Sequence, residues 1–147
     1  MDSLAVDKKR KKVTVSLGDQ TQLSGHLFLS HFSGRKAGRQ TILEALTEQG
    51  QFIPFETNDG EISFLNQKHI VWVASLIEGV DDADLLDNKN VTVFLRDGKR
   101  LRGDLYFSMP VEKNRLSDWL NDVGTFLVLR DDKREVLINL DFVIRVT

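Results

Sequence analysis

The chain has 147 residues, 41% hydrophobic and 29% charged, with a formal net charge of −2. That balance describes a folded globular protein and excludes both an intrinsically disordered chain and a global basic field that would draw nucleic acid to every face. Cysteine is absent, which excludes disulfides and thiolate metal sites and fits a reducing, cytoplasmic compartment.

The N-terminal stretch 1–12 reads as a basic leader. Lys8-Lys9-Arg10-Lys11-Lys12 is five consecutive cations, and the stretch lacks the apolar core of a secretory signal. Lys8, Lys9 and Arg10 are candidate contacts for phosphates or an anionic surface. The plainer reading is a solvated leader, and Asp2 and Asp7 favour it. No apolar run approaches the roughly 20 residues of a membrane helix, so membrane insertion is not expected.

Residues 13–76 read as a first β-rich module. Val13-Thr14-Val15-Ser16-Leu17 is a strand, and Leu23, Gly25 and Leu27 belong to its return partner, with Phe28 an outward aromatic. The loop Ser33-Gly34-Arg35-Lys36-Ala37-Gly38-Arg39 follows. Flexible glycines with Arg35 and Arg39 could grip a phosphate. The spacing is similar to the arginine motif of cyclic-dinucleotide-binding PilZ domains, but the partner motif of that family, Asp/Asn-x-Ser-x-x-Gly, does not occur downstream. Ile42, Leu43 and Leu46 predict a short helix that Gly50 ends. Strands are predicted at about 52–56, 61–66 and 69–75, with Asn58-Asp59-Gly60 as a turn.

Residues 77–90 read as an acidic linker. Five acids (Glu78, Asp81, Asp82, Asp84 and Asp87) stand against Lys89 alone, whereas 1–76 and 91–147 each carry one more cation than acid.

Residues 91–147 read as a second module. Val91, Val93 and Leu95 alternate with Thr92, Phe94 and Arg96, the pattern of a strand with one buried face. Asp97-Gly98 is a hairpin signal. The return strand places Leu101, Gly103, Leu105 and Phe107 on one face and Arg102, Asp104 and Tyr106 on the other. A glycine in mid-strand marks a bend or a close backbone approach. Leu116, Trp119 and Leu120 predict a second short helix, and strands are predicted at 126–130, 134–139 and 142–147.

The two modules match each other. Val13, Val15 and Leu17 correspond to Val91, Val93 and Leu95, and Asp19 corresponds to Asp97. Leu23, Gly25 and Leu27 correspond to Leu101, Gly103 and Leu105. After slips at turns, Gly50 falls on Gly124, Phe52 on Phe126, Asn66 on Asn139 and Val73 on Val146. This pattern predicts an internal duplication.

The run Val91-Thr92-Val93-Phe94-Leu95-Arg96-Asp97-Gly98-Lys99-Arg100-Leu101-Arg102-Gly103-Asp104-Leu105 resembles the first half of the Sm-like fold of Sm, LSm and Hfq proteins. The endings Phe64-Leu65-Asn66 to Val73 and Leu137-Ile138-Asn139 to Val146 are similar in shape to its last two strands. The resemblance implies a mainly β chain of two repeated five-stranded bent-sheet or small-barrel modules. Each has one short helix inserted after the second strand. Lys68-His69 is similar to the Lys-His pair of Hfq, and Arg115 to Asn121 resembles a stretch in uncharacterised bacterial proteins. The RNA-binding Asp and Asn of Sm proteins and their Arg-Gly motif have no counterpart here, so the resemblance carries architecture without its functional residues.

His26, His31 and His69 have no metal-ligand spacing, and no nucleophile elbow, phosphate loop or dinucleotide fingerprint occurs. The sequence therefore predicts a protein that is not an enzyme and uses neither metal nor cofactor. The first functional expectation is a non-catalytic interaction module that binds protein, itself or another, through sheet edges or through Phe28, Phe94 and Tyr106. The second is RNA binding through Arg96, Lys99, Arg100 and Arg102 of the hairpin, with the N-terminal cations and Lys68-His69. The third is a nucleotide or anion sensor around Arg35 and Arg39.

Overall fold

The computed structural model describes residues 8–30, 41–77, 87–107, 116–122, 124–131 and 133–147. The described residues are mainly β, with ten strands, and the chain divides into two compact units, Met1–Val73 and Ala74–Thr147. No helix among the described residues is long and apolar enough to cross a membrane.

The first unit runs β1 (Lys8–Leu17), β2 (Gln22–Ser30), α1 (Ile42–Glu48), β3 (Phe52–Thr57), β4 (Ile62–Asn66), a 3-10 turn (Gln67–His69) and β5 (Ile70–Leu76), whose last three residues belong to the second unit. Its strand order is β5-β1-β2-β3-β4. Alternation decides the faces: Val13, Val15, Leu27, Leu29, Ile53, Phe55 and Leu65 point into the core, where Ile42, Ala45 and Leu46 of α1 join them. A capping box starts α1, because Thr41 Oγ1 accepts from the Glu44 N–H at 3.1 Å and Glu44 Oε1 accepts from the Thr41 N–H at 2.9 Å. At its other end the Gln49 side-chain amide donates to the Phe28 carbonyl at 3.0 Å, tying helix to strand.

The second unit runs β6 (Asp87–Leu95), β7 (Arg100–Phe107), α2 (Leu116–Asp122), β8 (Phe126–Arg130), β9 (Arg134–Asn139), a 3-10 turn (Leu140–Phe142) and β10 (Val143–Val146). Its strand order is β10-β6-β7-β8-β9. Val91, Val93, Leu95, Leu105, Phe126, Leu129 and Leu137 are all buried.

The two units share element order and register. Val13 faces Gly25 as Val91 faces Gly103, and Phe52 faces Asn66 as Phe126 faces Asn139. Asn66 and Asn139 each accept from the N–H two residues on and so cap the 3-10 turn that follows. The mid-strand glycines are sites of close approach. A Cβ at Gly25 would overlap the Glu56 carbonyl oxygen and lie 2.8 Å from the Phe55 ring, and one at Gly103 would lie 3.0 Å from the Arg130 carbonyl oxygen.

Two boundaries differ from the sequence reading. The basic stretch is not a leader from Lys8 onward: Lys8 pairs with Ser30 and Lys12 with His26, so the cations form the first half of β1. Likewise 87–90 is not linker but the start of β6, with Asp87 opposite Phe107. In both places the return strand is long enough to supply backbone partners. Lysine stems can lie along a sheet, and Lys9 and Lys11 are half-buried.

Pro54 sits within β3 without harm. The β2–β3 ladder stops at the Leu27–Phe55 pair, and Pro54 faces Phe64 of β4 at a position that exchanges no backbone hydrogen bond with it.

Candidate functional site

The outward face of β10, β6 and β7 gathers cations around two aromatic rings. The register puts Phe94 opposite both Arg145 of β10 and Arg100 of β7. The guanidinium carbon of Arg145 lies 4.0 Å from the centre of the Phe94 ring, and that of Arg100 lies 5.8 Å from it. Two residues along, Arg96 lies 4.4 Å over the ring of Phe142, and its N–H donates to the Phe142 carbonyl at 3.0 Å. All three guanidiniums lie within the roughly 6 Å range of cation–π attraction to their ring. The rings are half-buried and the guanidiniums exposed.

The same face continues with Arg102, whose Nε donates to Asn90 Oδ1 at 3.0 Å, while Asn90 Nδ2 donates to Asp104 at 3.0 Å. Asp97, in the hairpin, accepts from the Lys99 N–H at 2.9 Å. Among the described residues, no carboxylate forms an ion pair with Arg96, Lys99, Arg100, Arg102 or Arg145. This contrasts with Arg130, bound by Glu135 at 2.8 Å, and Arg134, beside Asp131 at 3.5 Å. A guanidinium stacked on a ring keeps its N–H edges free for phosphate, and its outer plane can stack a base.

The first unit does not repeat this site. Ser16, Gly18, Gln22 and Trp72 stand where the second unit has Phe94, Arg96, Arg100 and Arg145. Lys68 and His69 are exposed in the 3-10 turn, where the His69 carbonyl accepts from the Gly18 N–H at 2.8 Å. Lys9 and Lys11 alternate along β1 with Arg10 and Lys12 and so lie on the other face, and Arg10 is bound to Glu56 at 2.6 Å. They do not form one phosphate-facing run. Arg35 and Arg39 lie outside the described residues, as does His31. Phe28 is half-buried on β2, and Tyr106 is placed on β7 by its backbone alone.

Arg145 and Phe142 are absent from the sequence reading, which found only the hairpin cations and Phe94. No local signal marked them: in each unit the last strand lies beside the first, which brings 142–146 next to 92–96.

Among the described residues, no group of three or more His, Asp or Glu side chains gathers in a metal-holding arrangement. Asp19 and Asp131 are held below the usual carboxylate range, Asp19 by hydrogen bonds from Thr21 and Asp131 by the N–H groups of Lys133 and Arg134. Both sit in hairpin turns. Comparison with protein-family models, curated proteins and solved structures yields no match.

Proposed function

We propose that the chain is a non-catalytic binding module made of two diverged Sm-like copies, and that the second copy takes single-stranded nucleic acid, RNA by preference, on the β10-β6-β7 face. The observation that carries this reading is the Phe94 ring with Arg145 and Arg100 on its two flanking strands, Arg96 over Phe142 beside it, and no carboxylate among the described residues paired to any of the three. Single-strand binders combine cations that follow the backbone with flat groups on which bases stack, and neither element needs a fixed sequence. Duplication is supported by the shared order of elements, by the paired glycines and by the two asparagine caps. One copy has kept or acquired the cationic face while the other has not.

The test is fluorescence anisotropy of a labelled uridine oligonucleotide titrated with the full chain at several salt concentrations. Each phosphate neutralised on a single strand contributes about −0.7 to the slope of log K against log salt. The expected slope is therefore about −2 for three arginines. Arg145→Gln should lower affinity and flatten the slope by about 0.7, whereas Arg10→Gln, which only breaks the pair with Glu56, should change neither. No binding at low salt, or equal losses in the two variants, would remove the reading.

A further inference from the structure

The β4 strand closes one side of the first unit, and its outer edge has no partner strand among the described residues. Thr57 donates to the Glu61 carbonyl at 2.8 Å and Gln67 donates to the Gln51 carbonyl at 2.8 Å. Antiparallel pairing alternates, so Glu61, Ser63, Leu65 and Gln67 spend their backbone groups on the β3 side. The N–H and C=O groups of Ile62, Phe64 and Asn66 are then directed away from β3, with no partner strand among the described residues. Natural sheets block such an edge with charge, proline or a bulge. Ile62-Ser63-Phe64-Leu65-Asn66 has none of these, and its register with β3 is unbroken over five pairs. At the far side of the second unit, by contrast, β10 carries Arg145 and a register break between Val143 and Arg145.

The side chains on this edge are apolar and uncovered. Phe64 is 66% exposed, Phe52 56% and Ile62 45%. The equivalent positions of the second unit, Phe126 and Leu137 for Phe52 and Phe64, are 2% and 0% exposed. Two aromatic rings at diagonal positions on one face of β3 and β4, left in water, mark an interaction surface.

Charge selects the occupant. Asp59 and Glu61 precede the strand, and Lys68 and His69 follow it, all exposed. We infer that β4 pairs antiparallel with β4 of a second copy of this chain, with Phe64 opposite Phe64 about a two-fold axis. In that register Ile62 meets Asn66, Asp59 meets His69, and the Glu61 end of each copy lies against the Lys68 end of the other. The charge match is made twice, as an isologous contact requires. Parallel pairing would set like ends together. The three residues with open backbone groups are the ones that would exchange hydrogen bonds, and the exposed aromatics would cover one another.

The chain has no cysteine, so Phe64→Cys introduces a single thiol. Opposite residues of a hydrogen-bonded antiparallel pair have Cα atoms about 5.5 Å apart, within disulfide range. Mild oxidation should convert Phe64→Cys to a covalent dimer, whereas Ile144→Cys, also 66% exposed in the native residue, should form no disulfide-linked dimer. Sedimentation of the full native chain should show a monomer–dimer equilibrium. Lys68→Glu should weaken it about tenfold, since the reversal acts twice, and Glu61→Lys added to it should restore the dimer. These two surface changes leave the core untouched, and circular dichroism checks that each variant is folded. A native chain that is monomeric at about millimolar concentration, or cross-linking of Phe64→Cys no greater than that of Ile144→Cys, overturns the inference. So does a charge reversal that the second substitution fails to rescue.

Discussion

Gln20, with φ of +74°, stands at the hairpin position that Gly98 fills with φ of +88°. The two turns are otherwise alike. Gln20 donates to the Leu17 carbonyl at 2.9 Å and Gly98 to the Leu95 carbonyl at 3.0 Å. Asp19 and Asp97 each accept from the N–H two residues on. A side chain in the left-handed region costs about 1 kcal/mol, part of which glycine returns through its freer unfolded chain. Gln20→Gly is therefore expected to stabilise the protein by about 0.5 kcal/mol, and Gly98→Gln to destabilise it by about 1 kcal/mol. Urea midpoints at unchanged slope measure both. A loss of stability in Gln20→Gly would mean that the first turn does not need this backbone.

The two mid-strand glycines are expected to differ in tolerance. An alanine at Gly25 meets the Glu56 backbone and the Phe55 ring, neither of which can yield easily. At Gly103 the nearest atom is 3.0 Å away. Gly25→Ala should cost about 3 kcal/mol and Gly103→Ala about 1 kcal/mol, the upper and lower parts of the range for overpacking. Thermal unfolding of the two variants side by side tests the order. Equal costs would mean that the sheet relaxes around the new methyl group.

Much of this architecture is legible because alternation and turn chemistry are local signals. Val91, Val93 and Leu95 announce their buried face, and Asp97-Gly98 announces the turn. The start of β1 is hidden for a physical reason: five cations in a row have no apolar–polar contrast, so no period can be read, yet Lys8–Lys12 pair along β2 in full register. Asp87 to Asn90 are masked in the same way by their polarity. The site is half legible. Phe94 and Arg100 are close in sequence, but Arg145 reaches Phe94 only because β10 lies against β6, a long-range pairing that no local pattern encodes. Thr41-x-x-Glu44 is a capping box that could have been read from the sequence and marks the start of α1.

That box should matter beyond its own turn. α1 has only seven residues, too few to hold together without packing and caps. Ile42, Ala45 and Leu46 anchor it in the core. Thr41→Ala leaves the Glu44 N–H without its acceptor and should cost about 1 kcal/mol. Thr41→Ser should cost less than half of that, because the hydroxyl is retained. Amide exchange of Ala45 and Leu46 should quicken in the alanine variant only, and equal protection in the two would show that packing alone holds the helix.

Acid stability should report on the hairpin carboxylates. The Lys133 and Arg134 N–H groups hydrogen-bond the Asp131 carboxylate at 2.9 and 2.7 Å and hold its pKa below the ordinary 3.8. Thr21 does the same for Asp19. A group whose folded pKa is depressed stabilises the fold fully above its unfolded value, and that contribution disappears as pH falls through the folded value. Unfolding midpoints should thus be flat near neutrality and fall below about pH 4. Asp131→Asn keeps one oxygen acceptor but cannot titrate at this site. Its deficit relative to the native chain should be greatest near neutrality and shrink steadily in acid, because the native chain loses there what the variant never had. A deficit that stays constant from neutral to acid pH would show that the Asp131 charge contributes nothing to the turn.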